Sequence, residues 1–232
     1  MSVSFLRHGA FFAPEDAAST VLNIIGVGAT GSWIGLLAAK MGWQRFRVWD
    51  ADVVASHNLP NQIYDTCQIN KLKVEAFKEK LTDFNPLIEV ETIPRFFTTE
   101  EDSDILEGVV VIAVDTLSAR KDIYHSVKNN YLIYNVLETK MGFKHATITL
   151  LDPLDESSLD NWYGLLKDDS EVQEAACNER IITTLTNIVA STSVHYLCAI
   201  TASSRTGQVI HSIPKTTIIN FEDQLNVFNI ST

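Results

Sequence analysis

Three glycines with the spacing G-x-G-x-x-G, Gly26, Gly28 and Gly31, form a candidate phosphate-binding loop. They follow the apolar run VLNIIG (21–26) and lead into GSWIGLLAAKMGW (31–43), whose apolar residues recur at helical spacing. Gly26 permits a tight turn, Gly28 lets the backbone approach a phosphate, and Gly31 lets the helix pack closely with its N-terminus toward the anion. We therefore predict phosphate binding at this loop. The alternative is a tight turn between strand and helix that holds no ligand.

Two carboxylates follow the next apolar run, RFRVWD (45–50). Asp50 ends this predicted strand, where an acidic side chain can accept hydrogen bonds from ribose hydroxyls. Asp52 either supports Asp50 or belongs only to the turn. Together with the glycine loop, this arrangement suits NAD, FAD or ATP. An NAD(P)-dependent oxidoreductase is therefore one hypothesis.

The stretch around these carboxylates, WDADVVASHNLPNQ (49–62), resembles the D-x-D-x-V-x-x-x-N-L-x-R-Q signature of the E1-like, or ThiF/MoeB/HesA, adenylyltransferases. Three later segments are similar to this family in the same order: KLKVE (71–75), VIAVDTLSARKDI (111–123) and ACNERIITTLTNIVASTSVHYL (176–197). Members of the family activate ubiquitin-like and sulfur-carrier proteins with ATP. The resemblance therefore implies a Rossmann-like fold and an ATP-dependent adenylyltransferase.

The implied reaction begins when the C-terminal carboxylate of a small partner protein attacks the α-phosphorus of ATP, giving an acyl adenylate and pyrophosphate. Its transition state gathers negative charge, so the site requires cations and hydrogen-bond donors. The family pattern assigns phosphate binding to Lys73 and Mg²⁺ to Asp115, which follows the apolar run VVVIAV (109–114). The alternatives are an exposed lysine without a role for Lys73, and a helix N-cap for Asp115.

Three amide side chains of the signature, Asn58, Asn61 and Gln62, complete the predicted nucleotide site. Asn58 and Gln62 either contact phosphates, directly or through water, or cap their loop. Asn61 stands where the family usually has an arginine that contacts the triphosphate. Either the activity is lower for that reason or another cation substitutes. The departure also supports a third hypothesis, a noncatalytic member of the family that binds a partner.

Two residues outside the signature match positions with catalytic roles in the family. Arg7, in SFLRHG, occupies the place of an N-terminal arginine that reaches into the site of the dimer mate; the alternative is a solvated arginine on a flexible arm. Cys177 occupies the place of a cysteine that takes the activated carboxyl as a thioester or forms a persulfide; the alternative is an unreactive thiol. A helix after Cys177 would favour its thiolate, whereas neighbouring glutamates would oppose it. We expect Cys198, inside an apolar helix, to be a core residue.

The composition of the 232 residues limits the class of protein and of partner. A net charge of −11 disfavours nucleic-acid binding, because phosphate contacts require Lys and Arg. No apolar run approaches the roughly 20 residues of a membrane helix, and the N-terminus lacks a signal-peptide pattern, so we expect a cytoplasmic protein. The cysteines form no CxxC pair, and we expect no zinc. The resemblance implies a homodimer and a small β-grasp partner.

The hydrophobic pattern predicts an α/β fold whose doubly wound, mostly parallel sheet is extended by antiparallel strands. We divide one predicted domain, 1–232, into an N-terminal arm (1–20), an ATP-binding half (21–140) and a partner-binding half (141–232) that contains Cys177. A long crossover loop near 154–177, with at most one helical turn, precedes a helix over 178–201. The other predicted elements are strands at 21–26, 45–50, 88–94, 107–115 and 131–137, helices at 31–43, 70–86 and 117–130, an antiparallel strand at 145–153, and a closing hairpin of 207–212 with 216–221.

Overall fold

A computed structural model describes residues 3–5, 7–8, 12–142, 144–166, 183–206, 213–221 and 224–231. Its centre is an eight-stranded sheet in the order β3-β2-β1-β4-β5-β6-β7-β8. The strands are β1 (Val21–Ile25), β2 (Arg45–Trp49), β3 (Glu89–Ile93), β4 (Gly108–Ile112), β5 (Ile133–Met141), β6 (His145–Leu151), β7 (Thr216–Phe221) and β8 (Leu225–Ile230). The helices are α1 (Pro14–Ala18), α2 (Ala29–Met41), α3 (Lys73–Phe84), α4 (Thr99–Asp102), α5 (Leu117–Val127), α6 (Glu156–Gly164) and α7 (Thr183–Thr206).

The first five strands in sequence are parallel and the last three are antiparallel. The sequence predicts the parallel strands and an antiparallel extension of the sheet. β1 and β4 are buried along their whole length, since helices cover both faces of this part of the sheet. One core lies between the sheet and α2, α3 and α7, and includes Ile24, Phe77 and Leu197. The other lies between the sheet and α5 and α6, and includes Ile112 and Ile123. The fold is therefore the predicted doubly wound α/β layer structure.

The point where the strand order reverses lies at β1, which pairs with β2 on one side and with β4 on the other. In open α/β sheets, ligands bind in the crevice outside the carboxyl ends of the strands at such a switch point. The glycine loop follows β1, Asp50 follows β2, and Asp115 lies three positions after the last residue of β4. The fold therefore directs the predicted site residues toward one edge of the sheet.

The prediction of a loop with at most one helical turn after residue 154 is wrong for part of that segment. Residues Glu156–Gly164 form α6, nine residues long. The carboxylate of Asp155 caps the helix by accepting a hydrogen bond from the backbone N–H of Ser158 at 3.1 Å. Leu159 and Trp162 are buried against the face that α5 also covers. A polar, acidic sequence concealed this helix because only two of its side chains enter the core.

The closing hairpin was predicted with one strand that the structure confirms, 216–221, which is β7. β7 pairs with β8, a strand that the sequence analysis did not identify, and residues 207–212 lie outside the described part of the chain. β8 is exposed on both faces, so its side chains carry no alternation between apolar and polar residues. Among the described residues, none of the helices combines the length and the hydropathy needed to cross a bilayer.

Candidate functional site

The glycine loop is held by backbone contacts that exclude side chains at two of its three glycines. Gly26 has φ of +92°, and a Cβ atom added there would lie 2.7 Å from the carbonyl oxygen of Ala113. A Cβ atom on Gly31 would lie 1.9 Å from the carbonyl oxygen of Gly26, because α2 crosses directly over the loop. At Gly28, by contrast, a Cβ atom would meet nothing within 4 Å. Gly28 therefore borders open space that a ligand can enter.

This space adjoins the N-terminus of α2. Gly28 is the N-cap residue, and the helix receives no hydrogen bond from a capping side chain. The first turn also contains no acidic residue that would repel an anion. Free N–H groups and the positive end of the helix dipole attract phosphate at such a position. The loop can therefore bind a phosphate group through its backbone.

Asp50 holds the glycine loop from the end of β2. One carboxylate oxygen accepts a hydrogen bond from the N–H of Val27 at 3.0 Å, and the other accepts one from the N–H of Asp52 at 2.9 Å. The side chain is only 9% exposed. Burial raises the pKa of Asp50, while the charge of Lys73 and the two backbone donors oppose that rise. A carboxylate oxygen can accept a second hydrogen bond, so Asp50 can also bind a ribose hydroxyl.

Lys73 is buried at the first position of α3, with 9% of its side chain exposed. Its Nζ atom lies 2.6 Å from a carboxylate oxygen of Asp52 and 3.9 Å from one of Asp50. Its backbone N–H donates to the carbonyl oxygen of Asp52 at 2.9 Å. Lys73 is therefore not the exposed lysine of the alternative reading. Asp52 supports Lys73 directly, which explains the second aspartate of the signature better than a turn alone.

Tyr64 is a site residue that the sequence analysis missed. Its hydroxyl donates a hydrogen bond to the carbonyl oxygen of Val27 at 2.6 Å and is buried beneath the glycine loop. Burial, and then the charge of Asp50, raise the pKa of Tyr64 well above its ordinary value, so it stays a neutral donor. The partners are 37 positions apart in sequence. No local pattern indicates such a contact.

The three amides of the signature have different surroundings. The side-chain oxygen of Asn58 accepts from the N–H of Ala55 at 2.8 Å, so Asn58 does cap its loop. The side-chain oxygen of Asn61 accepts from the hydroxyl of Thr183 at 2.8 Å. The side-chain oxygen of Gln62 is buried and has no hydrogen-bond partner among the described residues. Because a buried polar atom without a partner is costly, Gln62 is the amide best suited to meet a bound ligand.

Asp115 is exposed just beyond β4. Thr116, not Asp115, caps α5 by accepting from the N–H of Ala119 at 3.4 Å, so the N-cap alternative for Asp115 is wrong. The preceding carbonyl, of Val114, accepts a hydrogen bond at 2.5 Å from the buried Arg120. No three His, Cys, Asp or Glu side chains in the described ranges form a ready metal site. Asp115 therefore presents an exposed carboxylate at the edge of the crevice.

The structure gives less for the two predicted residues outside the signature. Arg7 is exposed. Cys177 lies outside the described residues. The prediction that Cys198 is a core residue is confirmed, since it is 1% exposed and burial raises its pKa to about 12.

Comparisons with known proteins show the family and the fold. A ThiF family profile matches residues 15–231. The chain is 27% identical over 163 residues to a tRNA threonylcarbamoyladenosine dehydratase of Haemophilus influenzae, covering 63% of this chain and 62% of the relative. It is 28% identical over 102 residues to the adenylyltransferase and sulfurtransferase UBA4 of Lodderomyces elongisporus, covering 44% of this chain and 22% of the relative. It thus spans less than two thirds of the length of each of these relatives.

A solved structure of Escherichia coli MccB with ATP superposes on this fold with a TM-score of 0.71. The sequences are 16% identical, and the superposition covers 94% of this chain and 65% of the MccB chain. At that identity the likeness concerns the fold alone. Together with the family profile, it confirms the resemblance drawn from the signature. This chain belongs to the ThiF family.

Proposed function

We propose that this chain is an ATP-dependent adenylyltransferase that activates the C-terminal carboxylate of a small ubiquitin-like or sulfur-carrier protein as an acyl adenylate. The observation that carries the proposal is the buried Lys73, held by Asp50 and Asp52 beside the glycine loop. An ammonium group removed from water beside a helix N-terminus suits a triphosphate. An NAD(P)-dependent oxidoreductase requires an acidic residue there that binds the ribose, but it does not require such a lysine.

Lys73 can contact a phosphate without leaving its position. An ammonium group has three donors, and Asp52 occupies one of them at 2.6 Å. Asp52 is 59% exposed, so its side chain can turn toward water when a phosphate arrives. Asp50, buried and fixed by two backbone donors, would stay with the ribose and the loop. The reaction then places Lys73 where negative charge develops on the phosphates.

Asp115 fits Mg²⁺ in the manner common for nucleotide sites. Mg²⁺ usually takes one or two carboxylates together with substrate phosphates and water, so one exposed carboxylate at the crevice edge is a sufficient protein contribution. Bound there, the ion would neutralise charge on the triphosphate and on departing pyrophosphate. The chain's own part is to hold Asp115 in place, which Arg120 does through the carbonyl of Val114.

The remaining family roles extend the same proposal. Cys177 would take the activated carboxyl as a thioester, and Arg7 would act in the site of the mate in a cytoplasmic homodimer. One of the MccB structures contains MccA together with AMPCPP. UBA4 is named both adenylyltransferase and sulfurtransferase. These names support a carboxylate substrate carried by a small protein.

A second candidate substrate is a carboxylate attached to RNA. The match to a tRNA threonylcarbamoyladenosine dehydratase favours it. The net charge of −11 opposes it, because RNA binding requires a basic surface. The two substrates use the same nucleotide chemistry and differ only in the acyl partner.

Calorimetric titration of the protein with ATP and Mg²⁺, beside NAD⁺ and NADPH, tests the proposal. We expect saturable binding of ATP that Asp115→Ala weakens in the presence of Mg²⁺ and leaves nearly unchanged in excess EDTA. Binding of a nicotinamide cofactor without ATP would refute the proposal in favour of an oxidoreductase. Binding of neither would favour a noncatalytic member of the family. ATP–pyrophosphate exchange on adding a candidate carrier protein or tRNA then separates the two substrates.

A further inference from the structure

Asn61, the residue that departs from the family signature, is fixed by contacts with two helices. Its side-chain oxygen accepts from the hydroxyl of Thr183 at 2.8 Å, at the start of α7. Its backbone oxygen accepts from the indole N–H of Trp33, in α2, at 3.0 Å. Its own N–H donates to the carbonyl of Asn58 at 3.0 Å. Its acceptors thus serve protein donors in the described structure.

Thr183 contributes a second contact to the same loop. Its hydroxyl lies 2.7 Å from the carbonyl oxygen of Pro60 as well as 2.8 Å from Asn61, so one proton is shared between two acceptors. The partners are 122 and 123 positions apart in sequence. One half-buried hydroxyl therefore joins the beginning of α7 to the segment 55–62, which we call the signature loop.

The signature loop contains the three amides, Asn58, Asn61 and Gln62, that the sequence analysis assigned to the nucleotide site. The N–H groups of Asn61 and Gln62 both donate to the carbonyl oxygen of Asn58 at 3.0 Å, so residues 58–62 form one hydrogen-bonded turn. The side-chain oxygen of Gln62, which has no hydrogen-bond partner within the described part of the chain, lies in that turn. A displacement of Asn61 would therefore move Asn58 and Gln62 with it.

We propose that Asn61 and Thr183 form a latch that positions the signature loop for the nucleotide, so that Asn61 is a positioning residue and not a phosphate ligand. The inference rests on the proposed function, since it concerns how the same site binds ATP. It also accounts for the missing arginine. A guanidinium at position 61 has no acceptor and could not receive the Thr183 proton.

The latch predicts a specific order among four variants. Thr183→Val removes both contacts to the loop and should weaken ATP binding about three- to tenfold, as loss of one hydrogen bond does. Asn61→Ala removes one contact and should weaken ATP binding no more than Thr183→Val does. The double variant should match Thr183→Val alone, because Thr183→Val has already removed the contact that Asn61→Ala breaks. Thr183→Ser keeps the hydroxyl and should bind ATP as the unaltered protein does.

Thr201→Val is the matched control. Thr201 lies in the same helix and donates its hydroxyl to the carbonyl of Leu197 at 2.8 Å, away from the signature loop. Its loss should lower the melting temperature without changing the dissociation constant for ATP. A purely structural role for Thr183 would give the same result as this control.

Calorimetric dissociation constants for ATP and Mg²⁺, measured on the full chain, decide the matter. Weakening by Asn61→Ala but not by Thr183→Val would mean that Asn61 contacts the nucleotide itself, and would overturn the latch. So would additive losses in the double variant, or equal binding by all variants. If the unaltered protein binds no ATP, the proposed function fails first, and the latch has no nucleotide to position.

Discussion

Replacing Lys73 with methionine should destabilise the folded protein, and should do so more at neutral than at acidic pH. Methionine keeps most of the volume of the buried stem and removes the ammonium group. Asp50 then remains buried without a cation, with 9% of its side chain exposed. A buried charge that has lost its partner is a common cause of large destabilisation.

The magnitude follows from the geometry. Unit charges at the 3.9 Å between Lys73 Nζ and Asp50 Oδ1 attract by about 4 kcal/mol at an effective dielectric constant of about 20. Asp50 keeps the backbone donors of Val27 and Asp52 in the variant, and its pKa can rise, so we expect about 2 kcal/mol lost from the free energy of unfolding. Asp52 is 59% exposed and regains water, so its lost contact adds little.

The dependence on pH comes from Asp50. Burial raises the pKa of Asp50 in the folded state, and the charge of Lys73 opposes that rise. Because the pKa of Asp50 is higher in the folded than in the unfolded state, its protonation stabilises the folded protein at pH values below the unfolded pKa. This stabilisation is lost as the pH rises through the folded pKa. Removing Lys73 raises the folded pKa further. The free energy of unfolding of the variant should therefore fall furthest below that of the unaltered protein near neutral pH. The difference should shrink at acidic pH as Asp50 becomes protonated.

Urea unfolding at about pH 7 and about pH 4.5, followed by circular dichroism, measures both effects. The control is Lys71→Met, which breaks the pair between Lys71 and Glu79, whose side chains are 45% and 46% exposed. We expect little change from the control at either pH. An equal effect of the two variants, or a deficit in Lys73→Met that does not shrink on acidification, would refute the buried-pair reasoning.

Three further predictions concern the loop and the core. Gly31→Ala should lower the free energy of unfolding in urea by at least about 3 kcal/mol, since its Cβ would lie 1.9 Å from a backbone oxygen. Gly28→Ala, whose Cβ would meet nothing within 4 Å, should change that free energy by less than about 1 kcal/mol and should impair ATP binding in calorimetry. A reversed order of the two effects on stability would contradict the loop geometry. Tyr64→Phe should cost about 1–2 kcal/mol by the same assay, because it leaves a buried carbonyl without a donor; an unchanged midpoint would argue against that bond. Iodoacetamide at about pH 8 should label the exposed Cys67 and spare Cys198 in the folded protein, since burial raises the pKa of Cys198 to about 12; mass spectrometry that finds Cys198 modified before unfolding would contradict its burial.

The sequence by itself determined the parallel half of the fold and named candidate residues for the site. Apolar runs such as 107–115 reveal buried strands because hydrophobic periodicity records how many faces are covered. The glycine spacing is equally local, since a tight turn and a close helix crossing each exclude a side chain at one position. Asp50 was predicted from its place at the end of a strand, and Lys73 from the family-like segment 71–75. α6 and β8 have little contact with the core, so their sequences carry no clear hydrophobic pattern and the sequence analysis missed them.

Only the tertiary structure decided which groups meet. Lys73 pairs with Asp52 across 21 positions, Tyr64 reaches Val27 across 37, and Thr183 reaches Asn61 across 122. Such contacts depend on how helices and strands stack, and a single side chain carries no mark of its distant partner. The burial that raises the pKa of Asp50 also arises from packing around the crevice. Residue types and their spacing therefore predicted the candidate residues, and the tertiary packing determined which of them are in contact.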